Sequence, residues 1–396
     1  MIGITGTNGK TTVVHLATRI LEDEGYKVAS ISSLRFKIGE REWTNDLKMT
    51  MPGRMRIQKF LHDAADAGCS HVVLEVTSEG IRQGRHRFIR FDTAVFTNLT
   101  PEHIESHGSF EKYREAKGQF FKARHRTSIV NLDDEAAGYF LHFDADEKLG
   151  YSIEQSVGDD FSFSTVCAQN RSVDASGVSF DIGDVSFKVP LFGTFNVHNA
   201  LAAICIGLAQ GVELEPMSRF LARVQGVPGR MELVVRKPFR VIVDYAHTPD
   251  ALEKVYGTIL ELKKDNSKMV CVLGATGGGR DKWKRPEFGR IAAQYCDEIL
   301  LTDEDPYDEN PTSILEQIEV GFSKIPNSKF QIPNSYIKIL DRREAIREAL
   351  KQARPGDTVV ITGKGAEPWM VVARGRKIPW DDRKIVREEL KALSST

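Results

Sequence analysis

An apolar tetrapeptide, Met1-Ile2-Gly3-Ile4, runs directly into Thr5-Gly6-Thr7-Asn8-Gly9-Lys10-Thr11-Thr12, and helical spacing follows. Strand, glycine-rich loop and helix in that order are the sequence form of a phosphate-binding loop. Glycines let backbone N–H groups turn inward on phosphate oxygens, and the helix N-terminus directs positive charge at the same place. Lys10 supplies a mobile cation for the outer phosphates, and the Thr11 hydroxyl is a natural Mg²⁺ ligand. The strict spacing of such loops would need glycine at position 4; Ile4 stands there, flanked by Gly3 and Gly6, so the loop is a variant.

The apolar residues Val13, Leu16, Ala17, Ile20 and Leu21 continue a helix to Gly25, and Tyr26 to Ile31 reads as the next strand, a β-loop-α-β opening. A hairpin-like stretch, Arg35 to Asn45, precedes a helix with apolar positions Met55, Phe60 and Leu61. Val72-Val73-Leu74-Glu75-Val76 is an apolar run with a carboxylate near its C-terminal end, where ligands bind in open α/β sheets. Such a glutamate is either ion-paired or a metal ligand. A further strand, Thr93 to Thr97, leads to His103, an imidazole beyond a second strand end; Lys117 by pattern is one lysine on an amphipathic helix.

From about Phe161 to Val189 the alternation shifts to short strands with Gly and Asp turns, which predicts an antiparallel patch beside a parallel sheet. The turn-rich seam Gly226-Val227-Pro228-Gly229-Arg230 divides the chain into domains expected at 1–227 and 228–396. Beyond it, regular βα alternation predicts a Rossmann-like doubly wound domain with polar loops gathered at the strand C-termini. The whole is α/β, a P-loop ATPase domain followed by that second domain.

At 396 residues, two domains are the prior. Lys plus Arg total 54 against 55 for Asp plus Glu, so no whole-chain field draws nucleic acid or an anionic membrane. The five cysteines, Cys69, Cys167, Cys205, Cys271 and Cys296, form no C-x-x-C pair and read as buried free thiols of a reducing compartment. No secretory leader or bilayer-length apolar stretch is seen, and a cytoplasmic protein is expected.

The stretches ITGTNGKTT, TMPGR, LEVTSEG, FDTAVFTNLTPEH, YREAKGQFF, GTFNVHNALAA, VPGRME, VDYAHTPDAL, GRDKWKRP, GKGAE and IPWDDR, in this order, resemble the Mur ligase superfamily, most closely its UDP-N-acetylmuramoyl-tripeptide synthetase branch. The resemblance implies ATP-dependent amide-bond formation through an acyl phosphate, joining an amino acid to a carboxylate acceptor. It implies ATP contacts at Gly6, Thr7, Asn8, Gly9, Lys10, Thr11 and Thr12, and at Asn199, Arg230, Asp244, His247 and Lys282. Mg²⁺ would be held by Thr11, Glu75, His103 and Lys117, the last matching a lysine that this family carbamylates. Lys10, Glu75, His103 and Lys117 are thereby the catalytic set, and Thr50, Pro52, Ser78, Asp305, Tyr307, Gly363 and Glu367 the substrate contacts.

The resemblance has local departures. The chain opens at the loop, so the family's N-terminal UDP-gripping domain is expected to be absent, which leaves open whether the acceptor is UDP-linked. Glu79, Glu102 and Ala366 replace two histidines and an aspartate of the branch: histidine is usual at 79 and 366, aspartate at 102. Asp305-Pro306-Tyr307 carries no guanidinium for a distal carboxylate, so diaminopimelate is not the expected amino acid. A folylpolyglutamate-synthetase-like ligase is the alternative within the superfamily, and a nucleotide-dependent subunit whose partner protein binds the acceptor is the alternative outside enzymology.

Overall fold

The computed structural model describes residues 1–47, 49–153, 163–263, 266–325 and 336–394. The chain divides into two compact units, Met1–Gln225 and Gly226–Thr396.

The first unit begins β1 (Ile2–Thr5), α1 (Lys10–Asp23), β2 (Val28–Ile31), β3 (Arg35–Ile38), β4 (Arg41–Thr44), α2 (Arg54–Asp66), β5 (His71–Glu75), α3 (Ser78–Arg82) and β6 (Thr93–Phe96). It continues α4 (Ile104–His107), α5 (Phe110–Phe121), β7 (His125–Asn131), α6 (Ala137–Leu141), β8 (Ala145–Ser152) and β9 (Ser164–Cys167). Then follow β10 (Gln169–Asp174), β11 (Gly177–Ile182), β12 (Val185–Val189), α7 (Phe195–Ala209) and α8 (Leu214–Leu221). Among the described residues, nine strands form one sheet in the order β4-β3-β2-β5-β1-β6-β7-β8-β9. Strands β1, β5 and β6 lie inside it and pair in parallel, which is why they read as unbroken apolar runs rather than as alternation. The hairpin β3–β4 makes the antiparallel edge, β3 pairing with β2.

One expectation is corrected. Ser164–Cys167 pairs in parallel with β8 and extends the large sheet, whereas the antiparallel patch is the separate sheet β10-β11-β12. Short alternation marks a half-buried strand without specifying its partner's direction. Residues 161–162 of the expected patch lie outside the described residues.

The second unit runs β13 (Glu232–Val235), β14 (Arg240–Asp244), α9 (Pro249–Glu261), β15 (Met269–Leu273), α10 (Lys284–Tyr295), β16 (Glu298–Leu301) and α11 (Pro311–Glu319). It ends β17 (Ile337–Lys338), α12 (Arg342–Gln352), β18 (Thr358–Thr362), β19 (Trp369–Val372), β20 (Arg376–Pro379) and α13 (Asp382–Leu393). Its sheet, in the order β13-β14-β18-β15-β16-β17, is parallel except for β13. Val241, Val243, Val270, Val272, Leu300, Val359 and Ile361 form its core with Ala345, Ile346, Ala349 and Val386 from α12 and α13.

The reading of five free thiols does not hold. Cys271 in β15 and Cys296 at the end of α10 are joined as a disulfide, their Cα atoms 6.1 Å apart, while Cys69 and Cys205 are free thiols. The strand and the end of the helix that follows it come side by side only after the crossover folds, and 25 residues of separation hide that proximity. Among the described residues no helix is long and apolar enough to cross a membrane.

Candidate active site

Sheet order brings three strand ends together. Ile4 lies in register with Glu75 of β5 and with Val95 of β6, so the loop after β1 is flanked by the residues ending both neighbours. Gly6 and Gly9 have φ of 150° and 86°. A Cβ on Gly6 would lie 1.9 Å from Thr97 Oγ1, and one on Gly9 2.3 Å from Asn199 Oδ1. Only glycine fits either place.

The segment after β6 holds the loop's shape. Thr97 Oγ1 donates to the Asn8 carbonyl at 2.7 Å, the Asn98 carbonyl accepts from Thr7 N at 2.8 Å, and Asn98 Oδ1 accepts from Asn8 N at 2.8 Å. The Thr7 hydroxyl lies 3.1 Å from the Tyr113 hydroxyl of α5. Thr97, Asn98 and Tyr113 were missed as site residues. The polar run Thr97-Asn98 at a strand C-terminus is the signal that was there to read.

Two lysine side chains converge on this loop. Lys10 Nζ donates to the carbonyls of Gly6 at 3.0 Å and Thr7 at 2.7 Å, and Lys117 Nζ donates to the same Gly6 carbonyl at 2.8 Å. Lys117 is 1% exposed. Burial holds its pKa well below the ordinary lysine value and the charge of Lys10 adds to this, while Glu102 opposes. The aromatic face of Tyr113 lies 4.6 Å from its nitrogen. Helical spacing alone made Lys117 an ordinary surface lysine; depth in the fold makes it a candidate amine.

Glu75 is buried at the end of β5, and its Oε1 accepts from Ser33 N at 2.9 Å. Thr11 Oγ1 on the first turn of α1 lies 2.8 Å from Ser33 Oγ. Thr12 is buried one residue further along. His103 adopts a left-handed backbone, φ 55°, ahead of α4, with its Nε2 3.7 Å from the buried Glu102 and its ring against Tyr113. Ser78 opens α3, its Oγ 3.3 Å from His107 Nε2. The Thr50–Pro52 turn packs on that helix: a Cβ at Gly80 would lie 2.5 Å from Met51 Sδ, and Arg85 Nη1 donates to the Met51 carbonyl. Asn199 in α7 donates to Asn196 Oδ1 at 2.9 Å and rests against Gly9.

In the second unit, the segment before β13 and the ends of β14, β15, β16 and β18 with the loops that follow them hold the remaining candidates. The Arg230 guanidinium lies 4.2 Å over the Tyr245 ring. Asp244 accepts from Met231 N and Ala246 N, each at 2.6 Å, and burial raises its carboxyl above the usual range against the pull of Arg230. His247 Nδ1 donates to the Tyr245 carbonyl at 3.0 Å. Tyr245 OH donates to Glu367 Oε1 at 3.2 Å. Gly363 has φ of 107°, and a Cβ there would lie 2.4 Å from Glu304 Oε2.

Asp305 is held by two partners within the unit. Both its oxygens accept from the fully buried Lys364, at 3.0 and 3.1 Å, and Oδ1 also accepts from Val371 N at 2.7 Å. Tyr307, φ 55°, packs its ring against Gly278, and Lys282 reaches Glu309 at 3.6 Å with an exposed side chain.

Among the described residues no group of three or more His, Cys, Asp or Glu side chains is placed to hold a metal ion. Magnesium does not need such a cage: it is bound through one or two carboxylates, hydroxyl and water oxygens and substrate phosphates. Thr11 Oγ1 and the buried Glu75 carboxylate, brought to one turn by Ser33, are hard oxygen donors of that kind. The residues fit the ion.

Two family models match this chain: the Mur ligase middle domain over residues 4–207 and the Mur ligase, glutamate ligase domain over residues 229–365. A UDP-N-acetylmuramyl-tripeptide synthetase of Roseiflexus sp. is 37% identical over 414 residues, covering 99% of this chain and 79% of the relative. The solved structure of a UDP-N-acetylmuramoyl-L-alanyl-D-glutamate--2,6-diaminopimelate ligase matches all of the chain and 79% of its own, at a TM-score of 0.65 and 30% identity. The Mycobacterium tuberculosis folylpolyglutamate synthase complexed with ADP matches 91% of this chain and 87% of its own, at a TM-score of 0.68 and 17% identity, a likeness of fold.

Proposed function

Since this chain belongs to the Mur ligase family, we propose that it is a UDP-N-acetylmuramoyl-tripeptide-synthetase-like enzyme that joins an amino acid to a carboxylate acceptor with ATP. The observation that carries the reading is the convergence on one loop of Lys10 and Lys117, both donating to Gly6, with the Thr11–Ser33–Glu75 bracket beside them. In the reaction the acceptor carboxylate takes the γ-phosphoryl group, ADP leaves, the amine attacks the acyl phosphate, and inorganic phosphate departs from the tetrahedral intermediate.

Gly6 to Thr12 cradle the phosphates. Lys10 exchanges its carbonyl partners for phosphoryl oxygens as charge builds on them, an electrostatic contribution made in a preorganised site. Thr11 and Glu75 would hold Mg²⁺, with His103 and Lys117 at a second position; when bound, the ion neutralises charge on the transferring group. Lys117 is assigned as a carbamate: its neutral amine attacks CO₂, forms the N–C bond and releases one proton. Labelled bicarbonate and ¹³C NMR test that assignment, and a carbamate signal is absent if the amine stays free.

Asn199, Arg230, Asp244, His247 and Lys282 are assigned to the nucleotide. Thr50, Pro52 and Ser78 are assigned to the acceptor, and Tyr307, Gly363 and Glu367 to the amino acid. Asp305, held by Lys364, is assigned to the amino acid with them. The relatives' printed names make a muramoyl-peptide carboxylate the first acceptor to try, and the ATP requirement suits the cytoplasm. Tyr307 argues against a distal carboxylate on the amino acid. The folylpolyglutamate alternative keeps only its kinship of fold, and a partner protein would announce itself as ligation that appears only in its presence.

The test is ADP and phosphate release with UDP-linked and free muramoyl peptides, folate and a panel of amino acids, products being read by mass. Glu75→Ala and Lys117→Ala should each abolish ligation. Full activity in both variants overturns the site.

A further inference from the structure

We infer that the cavity between α1 and the β2–β3 hairpin binds a halide-sized monovalent anion, chloride being the common one; the inference does not rest on the ligase reading. His15 and Thr18 of α1, Ser30 of β2, and Arg35 and Lys37 of β3 are among the residues lining it, and it has room for a single water-sized particle. Every polar side chain in its wall is a hydroxyl, an imidazole or a cation, and no carboxylate is among the described residues that line it.

Two independent observations point to an anion. The first is charge. Arg19 pairs with Glu22 at 3.0 Å and with Glu42 at 3.3 Å, Lys37 pairs with Glu22 at 2.9 Å, and Arg35 pairs with Glu42. Three cations thus share two carboxylates, and one positive charge is left over at this seam. His15 adds none at neutral pH, because burial pushes it down to about 3. The excess is partly shut away from solvent, the Lys37 side chain being 4% exposed, and an unbalanced charge so placed is costly. The second observation is an orphan donor. Thr18, on the cavity wall, is 3% exposed, and its Oγ1 has no hydrogen-bond partner in the protein. A ligand that accepts its proton relieves the cost of burying it. A water would accept the same proton without answering the unbalanced charge; an anion does both. Ser30, buried in β2, supplies a second hydroxyl beside the Arg35 and Lys37 donors, and hydrogen bonds from such groups to an ion are the strong kind. The size of the cavity excludes phosphate and sulfate, and the single unbalanced charge matches a monovalent ion.

The experiment follows thermal unfolding of the full chain at neutral pH while sodium chloride, or sodium bromide, replaces sodium gluconate at constant ionic strength. In the parent, Tm should begin to rise once the halide exceeds its Kd and then climb with the logarithm of its concentration, as binding to the folded state requires. Thr18→Val, the same shape without the hydroxyl, should move that onset to about tenfold higher halide, and Thr18→Ser should keep it. Arg35→Gln should abolish the rise. A Tm indifferent to the exchange, or one that drifts alike in the parent and all variants, is the screening common to any salt and overturns the site. An onset that either Thr18→Val or Arg35→Gln leaves unchanged puts the ion elsewhere and overturns it equally.

Discussion

At the scale of single residues, burial changes the chemistry of Lys117 and His15. Lys117 is depressed below 10.5, so the folded chain binds fewer protons than the unfolded chain in the interval between the two values. Its contribution to stability is therefore full above 10.5 and is lost as pH falls toward the folded value. Lys117→Met should gain stability over the uncarbamylated parent, prepared free of bicarbonate, at about pH 7, gain less near pH 10, and lose ligation; urea unfolding at both pH values checks this. His15, on the buried face of α1 with Arg35 donating to its Nδ1, is pushed from 6.5 to about 3 by burial. Here too the unfolded chain binds the extra proton, so stability falls as pH drops from 6.5 to about 3. His15→Gln should reduce that slope, on the order of 1 kcal/mol per pH unit, in acid unfolding followed by circular dichroism. Lys117 stood out in the sequence only through the family resemblance and His15 not at all, because a helix pattern places a side chain on a face without stating how deep that face lies.

Elements were legible where their pattern was local. Helix α1 follows from apolar spacing closed by Gly25, and β5 from an apolar run, as the fold bears out. Close crossings were not legible. In α10, a Cβ at Gly289 would lie 1.9 Å from the Ile318 carbonyl, and a Cβ at Gly321, in the short 3₁₀ helix Val320–Lys324, would lie 1.9 Å from the Pro286 carbonyl. Two backbones meet where both glycines allow it. Gly289→Ala should destabilise the protein by about 1–3 kcal/mol through overpacking, measured by urea unfolding. Helix α13 is tied to α12 by the Arg342–Asp382 pair, 2.8 Å and fully buried, with Arg342 also donating to the Thr362 carbonyl at the end of β18. Asp382→Ala leaves that guanidinium without its carboxylate and should cost about 3–5 kcal/mol in the same measurement. The terminal motif IPWDDR thereby acquires a structural reason: Trp380 Nε1 and Arg342 both donate to Asp382.

At the scale of the whole molecule, the two units, Met1–Gln225 and Gly226–Thr396, each carry a sheet and a core, and domains at 1–227 and 228–396 are proposed. Residues 226–396 expressed alone should unfold in urea as one cooperative transition; the absence of such a transition counts against an autonomous second domain. By itself the sequence determined the class of fold, the phosphate loop and the order of the family's motifs, because each depends on residues close along the chain. Tertiary structure decided what those residues can do. Parallel pairing put Thr11, Ser33 and Glu75 within hydrogen-bond reach across three elements, burial deprived Lys117 of water, and a crossover brought Cys271 to Cys296. Such outcomes turn on distances between segments far apart in sequence and on the depth at which a charge is held, and local spacing encodes neither.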